Sequence, residues 1–247
     1  MARDVMSKYM NNSNCKVLTS FQRRSYIGNE SHELSEIYND EINISIWQRK
    51  IDDHLLKVAS EIIEADPRLQ ISKLIKPEEV EETLFSKLGL GDDILYFSED
   101  IKELVNMFCY LFNLKRVGFR LSVLDRAMCP RFHVDMVPCR LITTYQGIAT
   151  EWIEHCQVNR SKLGAASHGK TDDESGVYSK NSDIQKLKVG HVALLKGEGW
   201  NNNSGGGLVH RSPDVKNDKD KTPIINFRFW RLNLTCLKTK SSSHNPS

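Results

Sequence analysis

Two metal-binding residue types stand two positions apart in the middle of the chain, at His133 and Asp135. Side chains alternate between the faces of an extended strand, so these two should point to the same side. A second imidazole follows at His210, directly after the glycine run at residues 205–207, and glycine lets two backbone segments approach closely. Two imidazoles and one carboxylate on one side of an ion are typical of non-haem Fe(II) oxygenases. The spacing therefore predicts an iron-type site at these three residues.

Arginines downstream of this set extend the hypothesis. Arg228 and Arg231 lie three positions apart on a region that reads as a strand. A guanidinium group binds a carboxylate through two parallel hydrogen bonds, so this pair could bind a carboxylate co-substrate. Arg140 opens another predicted strand, and burying it needs a partner. We expect it to contact either the substrate or a carboxylate, that of Glu151 or Asp135.

Two cysteines give a second ligand set that overlaps the first. Cys129 and Cys139 bracket the His-x-Asp pair symmetrically. Thiolates combined with an imidazole favour tetrahedral zinc, so a zinc site made of Cys129, His133, Asp135 and Cys139 is the alternative to iron. Both cysteines also suit ordinary burial as small apolar residues. Tyr145 and Trp152 are aromatic candidates for the substrate side of the site, and core packing is the simpler interpretation of both.

The pattern of apolar residues predicts the elements that carry these groups. Between residues 44 and 112, apolar residues recur at steps of three and four, which indicates three amphipathic helices. After residue 115, alternation and β-branched residues predict seven or eight short strands. We therefore predict an α+β protein whose N-terminal helices pack on a jelly-roll-like double-stranded β-helix, a cupin-like barrel. The predicted segments are a poorly ordered stretch, a helical region, the β core and a polar tail: residues 1–40, 41–115, 116–238 and 239–247.

The composition of the chain limits the kinds of molecule that we expect it to bind. The chain has 247 residues with 39% hydrophobic content, which suits one globular domain with a real core. The 34 basic and 32 acidic residues leave a net charge of +2, which gives no reason to expect capture by nucleic acid or by a membrane. No apolar run is long enough to span a bilayer and the N-terminus lacks the apolar stretch of a secretory signal, so we expect a cytoplasmic protein that acts on a small-molecule or protein substrate.

A set of short motifs resembles a bacterial family catalogued as domain of unknown function 1826. The motifs are Cys-Pro-Arg-Phe-His-Val-Asp, Cys-Arg-Leu-Ile-Thr-Thr-Tyr, Thr-Glu-Trp, Leu-Leu-Lys-Gly and Val-His-Arg-Ser-Pro, at residues 129–135, 139–145, 150–152, 194–197 and 209–213. The likeness covers roughly residues 40–237. One turn departs from the family, because residues 147–150 read Gly-Ile-Ala-Thr in place of Gly-Pro-Gly-Thr. The resemblance implies a role in metal homeostasis through the family's association with zinc-limitation genes, and it names no reaction.

At a greater distance the layout is similar to the double-stranded β-helix of the 2-oxoglutarate oxygenases. That resemblance implies that His133, Asp135 and His210 hold Fe(II). It also implies that Arg228 or Arg231 binds the carboxylate of 2-oxoglutarate. Residues 231–235, Arg-Leu-Asn-Leu-Thr, resemble the corresponding strand of the nucleic-acid dealkylases in that class, which adds Asn233 to the co-substrate site.

Overall fold

The computed structural model of the protein describes residues 22–124, 128–212 and 224–230. In these ranges the chain forms the following strands and α-helices, in order: β1 (Arg24–Gly28), β2 (Ile42–Trp47), α1 (Asp53–Ala65), β3 (Gln70–Ile75), α2 (Val80–Leu88), α3 (Asp92–Leu111), β4 (Val117–Leu124), β5 (Cys139–Gln146), β6 (Glu151–Ile153), α4 (Asp172–Ser175), β7 (Ile184–Lys186), β8 (Val192–Lys196), β9 (Val209–Arg211) and β10 (Ile224–Trp230). Short 3-10 helices connect them at Ser31–Tyr38, Pro77–Glu79, His155–Gln157, Arg160–Lys162, Gly164–Ser167 and Asn181–Asp183.

Helices α1 and α3 form within the region where the apolar periodicity predicts helices, but the prediction is wrong for residues 44–47, which lie on strand β2. Helix α1 begins after Asp52, whose side chain accepts a hydrogen bond from the backbone N–H of Leu55 at 2.8 Å. Helix α3 begins at Asp92, and the two aspartates in its first turn suit the positive end of the helix dipole. Both helices bury one apolar face, which includes Val58, Ile62, Phe97, Ile101, Leu104 and Phe108.

The strands form two sheets. The large sheet has the order β1-β2-β8-β5-β10-β4-β3, and the small sheet has the order β7-β6-β9. Strands β1 and β2 pair in parallel, and the other pairs are antiparallel. From β4 onward the chain crosses repeatedly between the sheets, because β4, β5, β8 and β10 belong to the large sheet whereas β6, β7 and β9 belong to the small one.

Each face of the large sheet covers a different layer. On β5, Leu141 and Tyr145 pack in the main core with the helices, and on β4 Phe119 and Leu121 do the same. The opposite face of β5 carries Ile142, which packs in a second cluster with Trp152 of the small sheet and with residues of β2 and β8. The α+β class is thus confirmed as a helix layer, a large sheet and a small sheet, with the space between the two sheets separate from the main core.

Three details differ from the predicted architecture. Residues 24–38 form β1 and a 3-10 helix, so the prediction of poor order over residues 1–40 is wrong there: β1 pairs with β2, and Leu34 and Ile37 are buried. The helices are not the first elements, because β1 and β2 precede α1, and β3 joins the sheet from within the predicted helical region. The described strands form two sheets rather than one closed barrel.

None of the helices in the described ranges combines the length and the apolarity that are needed to cross a bilayer.

Candidate metal centre

His133, Asp135 and His210 converge in the described structure. Each offers one ligand atom, and these atoms all lie within 4.8 Å of one another. Nε2 of His210 is 3.6 Å from Oδ2 of Asp135, and Nε2 of His133 is 4.0 Å from Oδ1 of the same carboxylate. The two imidazole rings are 4.6 Å apart, centre to centre. Two nitrogen donors and one carboxylate therefore face a common point, as the sequence predicted.

Backbone carbonyls fix the orientation of both imidazoles. Nδ1 of His133 lies 2.9 Å from the carbonyl oxygen of Arg131, and Nδ1 of His210 lies 3.2 Å from that of Leu208. A carbonyl oxygen only accepts, so each Nδ1 carries the proton and donates it. In the neutral ring Nε2 is then left with a free lone pair directed at the carboxylate. This is the tautomer that a metal ligand needs, held by the kind of outer contact that metal-binding histidines usually make.

Burial keeps the lone pair of His210 available. Its side chain is 7% exposed, and burial lowers the pKa of His210 to about 3, although the negative charge of Asp135 opposes that shift. The imidazole is therefore neutral over the physiological pH range. A neutral ring binds a metal without first losing a proton.

Asp135 carries an oxygen that the protein does not satisfy. Its side chain is 8% exposed, and Oδ2 has no hydrogen-bond partner. Nε of Arg140 lies 2.9 Å from this oxygen, but its N–H is not directed at it, so the contact is an ion pair without a hydrogen bond. A buried carboxylate oxygen left in this state is costly unless a further group binds it. The donor set and this oxygen fit a divalent cation.

Strand pairing brings the two histidines side by side. His133 forms an isolated antiparallel bridge with His210 of β9, with hydrogen bonds of 3.0 Å from each backbone N–H to the other's carbonyl oxygen. Directly opposed residues in an antiparallel pair project their side chains to the same face. On its other side His210 pairs with Trp152 of β6, which is buried. The second imidazole therefore sits between the first one and an apolar wall.

A glycine-rich turn holds the segment that carries Asp135. The backbone N–H of Glu198 donates to the carbonyl oxygen of Asp135 at 2.8 Å, and that of Gly197 donates to Pro138 at 2.9 Å. A Cβ atom at Gly197 would collide with the carbonyl oxygen of Val137, so only glycine permits this approach. The carboxylate of Glu198 also accepts hydrogen bonds from the backbone N–H groups of residues 205 and 207. These bonds order the glycine run before His210.

A buried ionic network fixes the segment that carries His133. Asp172 of α4 accepts the backbone N–H of Phe132 at 2.9 Å and the guanidinium of Arg211 at 3.0 Å. Nε of Arg211 donates to Glu151 of β6 at 2.8 Å, and its guanidinium stacks over the ring of Phe132 at 4.3 Å. The network joins the His133 segment, β9 and β6. Arg211 therefore holds together the strands that carry the metal ligands.

Several candidates of the sequence analysis lie elsewhere. Cys139 and Tyr145 face the helices in the main core, the opposite face of β5 from Arg140, because residues at odd spacing on a strand face opposite ways. The hydroxyl of Tyr145 donates to Asp100. Among the described residues the cluster that assembles contains His210 and neither Cys129 nor Cys139, so the four-residue zinc set is wrong.

The predicted co-substrate residues are only partly within the described structure. Arg228 lies on β10 in register with Ile142 of β5 and with Arg120 of β4. Arg231 and Asn233 lie outside the described residues. Trp152 and Arg140 do border the cluster, through the pairing with His210 and the ion pair with Asp135. Of the alternatives left open for Arg140, its partner is Asp135.

Sequence reasoning missed the residues that position the ligands. Asp172 and Glu198 accept hydrogen bonds from backbone N–H groups outside their own local segments. Asp172 is 40 residues from its partner Phe132, and Glu198 is nine residues from its partner Gly207. No spacing rule marks them, because the loops that carry them have no periodicity. The one available signal was the excess of glycine around residue 198, which indicates close backbone approach.

Fold and cluster together define a mixed helix-and-sheet protein with a two-histidine, one-carboxylate site between its two sheets. The chain belongs to the family described as Protein of unknown function (DUF1826), whose model matches residues 28–223. No curated protein matches its sequence.

Solved structures resemble the chain at low sequence identity. The crystal structure of the dioxygenase for auxin oxidation from rice has a TM-score of 0.49 and 11% identity over 85% of this chain and 83% of that one. A prolyl-4-hydroxylase from Pseudomonas putida has a TM-score of 0.42 and 9% identity over 82% and 98%. A truncated viral collagen prolyl hydroxylase from Paramecium Bursaria Chlorella virus-1 has a TM-score of 0.41 and 8% identity over 88% and 98%.

Proposed function

We propose that this protein is a metal-dependent oxygenase of the Fe(II)/2-oxoglutarate type. The observation that carries the proposal is the convergence of the Nε2 atoms of His133 and His210 on the carboxylate of Asp135. A 2-His-1-carboxylate set that leaves positions open is the arrangement non-haem Fe(II) oxygenases use. The strand alternation from β4 to β10 supports a double-stranded β-helix for the core.

The roles of the chain's own residues follow from their contacts. His133, Asp135 and His210 would hold Fe(II), which supplies the reductive activation of O₂ coupled to oxidation of 2-oxoglutarate. Arg140 places the positive charge of its guanidinium 2.9 Å from Asp135 and balances the negative charge of that carboxylate. Trp152 excludes water from the side of His210. The binding of the co-substrate carboxylate by Arg228, Arg231 and Asn233, the cytoplasmic location and the link to metal homeostasis remain predictions from the sequence.

The overall reaction would convert 2-oxoglutarate, O₂ and a substrate C–H into succinate, CO₂ and the hydroxylated substrate. One oxygen atom enters succinate and the other enters the product, so the balance needs no further reductant. The proposal thus requires succinate formation that depends on both Fe(II) and O₂.

The test is succinate formation by protein loaded with Fe(II) without oxygen and then supplied with 2-oxoglutarate, O₂ and a panel of small-molecule and peptide substrates. We expect Fe(II)-dependent succinate from the wild type and at least about a hundredfold less from His133→Ala, because a lost ligand removes the metal. His191→Ala is the matched control, since this half-buried imidazole belongs to a turn outside the cluster. Absence of succinate with every substrate, or equal rates in the wild type and His133→Ala, would refute the proposal.

A further inference from the structure

Several buried polar atoms without hydrogen-bond partners lie at the proposed metal centre or on the face of the large sheet that borders it. Among the described residues, ten buried side-chain atoms have no hydrogen-bond partner, and four of them belong to the site or to the same face of the large sheet: Asp135 Oδ2, Arg140 Nε, Arg120 Nε and Ser122 Oγ. Each such atom costs free energy unless something outside the chain binds it, and native proteins leave few. A metal ion and its ligands account for Asp135 and Arg140. They do not account for Arg120 and Ser122.

The sheet register places these two residues on the site's face. On β4, Phe119, Leu121 and Val123 pack in the main core with the helices. Because side chains alternate, Arg120 and Ser122 project to the opposite face, the face on which Arg140 of β5 meets Asp135. Through β10, Arg120 is in register with Ile142, and Ser122 is in register with Thr144. Arg120 and Ser122 therefore belong to the same surface as the site, two strands away from β5.

Arg120 lies beside the predicted co-substrate contact rather than at it, because Arg228 of β10 is its direct register partner. Adjacent strands lie about 4.8 Å apart, so β4 is roughly 10 Å from β5 across the sheet. Arg228, the predicted partner of the co-substrate carboxylate, is on the intervening strand β10. Arg120 is one strand farther from the metal ligands. With Arg228 as the predicted partner of the co-substrate carboxylate, the neighbouring guanidinium of Arg120 is available for a second acid group.

The chemistry of the pair selects the ligand. Arginine presents a planar fork that matches the oxygens of a carboxylate or a phosphate, and a serine hydroxyl adds one donor. In the described part of the chain Arg120 forms no ion pair that would neutralise it. Beyond it, Ser72 of β3 pairs in register with Arg120, Gln70 pairs with Ser122, and both β3 residues are exposed. The positions next to the pair on β3, the edge strand of the large sheet, are therefore open to solvent.

We propose that Arg120 and Ser122 form a subsite for an acid group, carboxylate or phosphate, of the molecule that the enzyme oxidises. The identification of this molecule as a substrate rests on the proposed oxygenase function. The anion-binding property itself does not, because it needs neither iron nor O₂.

The experiment follows the Nε–H signal of Arg120 by NMR in full-length protein labelled with ¹⁵N, the signal being identified by its loss in Arg120→Lys. Acetate and inorganic phosphate serve as probes at constant ionic strength, first with metal-free protein and then with Zn(II)-loaded protein. We expect one of the two probes to shift the signal saturably, and which one does so distinguishes carboxylate from phosphate. Ser122→Ala should weaken that affinity about tenfold, since it removes a hydrogen bond to a charged group. Arg116→Gln, which removes an exposed positive charge just before β4, should leave it unchanged.

Three results would overturn the proposal. One is a signal that neither probe moves. Another is an equal response to the probes in Ser122→Ala and in the wild type. The third is a signal on the Zn(II)-loaded protein that saturates with 2-oxoglutarate at lower concentrations than with acetate, which would assign Arg120 to the co-substrate. Because the readout needs no turnover, failure here leaves the succinate assay unaffected, and a silent succinate assay leaves this result standing.

Discussion

The two faces of the large sheet differ in composition, although they belong to the same strands: one is apolar and packed against the helices, and the other carries the charged groups of the site. On the helix side of β5, Leu141 and Tyr145 are completely buried, and the Tyr145 hydroxyl has a partner in Asp100. On the other side, Arg140 meets Asp135 without a hydrogen bond. The helix side is tightly packed, whereas the other side carries charged groups with buried atoms that have no hydrogen-bond partner.

The difference indicates where stability comes from and where ligands bind. Buried apolar side chains on the helix side supply the favourable free energy of folding. The unsatisfied groups on the site side cost part of that free energy, a pattern expected where a ligand completes the structure. Variants on the two faces should therefore separate stability from metal binding.

The largest effect on stability should come from the packed face. Leu141→Ala removes a fully buried side chain from the main core and should lower the free energy of unfolding by about 2–5 kcal/mol. Denaturant unfolding followed by circular dichroism measures this loss. Metal stoichiometry of the folded variant should equal that of the wild type. A decrease in the free energy of unfolding below about 1 kcal/mol, or a loss of metal from the folded variant, would contradict the assignment of stability to one face and metal binding to the other.

A smaller effect, on metal affinity rather than on stability, should follow from the ionic network. Asp172→Asn weakens the charged contacts that fix the segment before His133. Substituting a residue that orients a metal ligand typically lowers metal affinity about 10- to 100-fold, and we expect that range here. Titration with Co(II) in competition with a chelator measures the affinity.

The neighbouring residue provides the control for this variant. Asp173 is exposed and accepts a hydrogen bond from the hydroxyl of Tyr178, and among the described residues no hydrogen bond or ion pair joins its side chain to the His133 segment. Asp173→Asn should therefore leave Co(II) affinity within about twofold of the wild type. An equal loss of Co(II) affinity in the two variants would mean that any change in this loop weakens metal binding, and that Asp172 has no specific positioning role.

The smallest effect should be the pH dependence of the metal-free protein. The pKa of His210 is about 3 when folded and 6.5 in the unfolded reference, so between these values the unfolded chain binds a proton that the folded chain does not. Stability therefore falls as pH is lowered through this window, by ~2 kcal/mol from pH 7 to pH 5 for this group alone. Unfolding in denaturant with EDTA at the two pH values should show a smaller decrease in His210→Gln. An identical decrease in both proteins would contradict the burial argument.

The sequence contains the metal ligands in a form that local rules can detect. The i, i+2 spacing of His133 and Asp135 makes them neighbours, and the isolated His210 after a glycine run is conspicuous. The existence of helices α1 and α3 is also predicted, because apolar periodicity is a local property, although the residues at which they begin are not. These are the features that depend on spacing alone.

Features that depend on tertiary pairing escape this reasoning. Cys139 lies close to His133 and Asp135 in sequence, but its side chain faces the helices. Its neighbour Arg140 projects to the opposite face of β5, where it contacts Asp135. Strand β1 forms only because β2 pairs with it and Leu34 and Ile37 are buried, which a polar stretch does not reveal. Asp172 reaches the backbone of Phe132 across 40 residues of chain. Partner choice over such separations is a property of the fold.

Fe(II) binding under anaerobic conditions tests the metal centre most directly. We expect the wild type to bind one Fe(II) per chain, the double variant Cys129→Ser/Cys139→Ser to bind the same amount, and His210→Ala to bind none at matched concentrations while keeping its circular dichroism spectrum. Binding that survives in His210→Ala, or that disappears with the two cysteines, would contradict a site made of two imidazoles and one carboxylate.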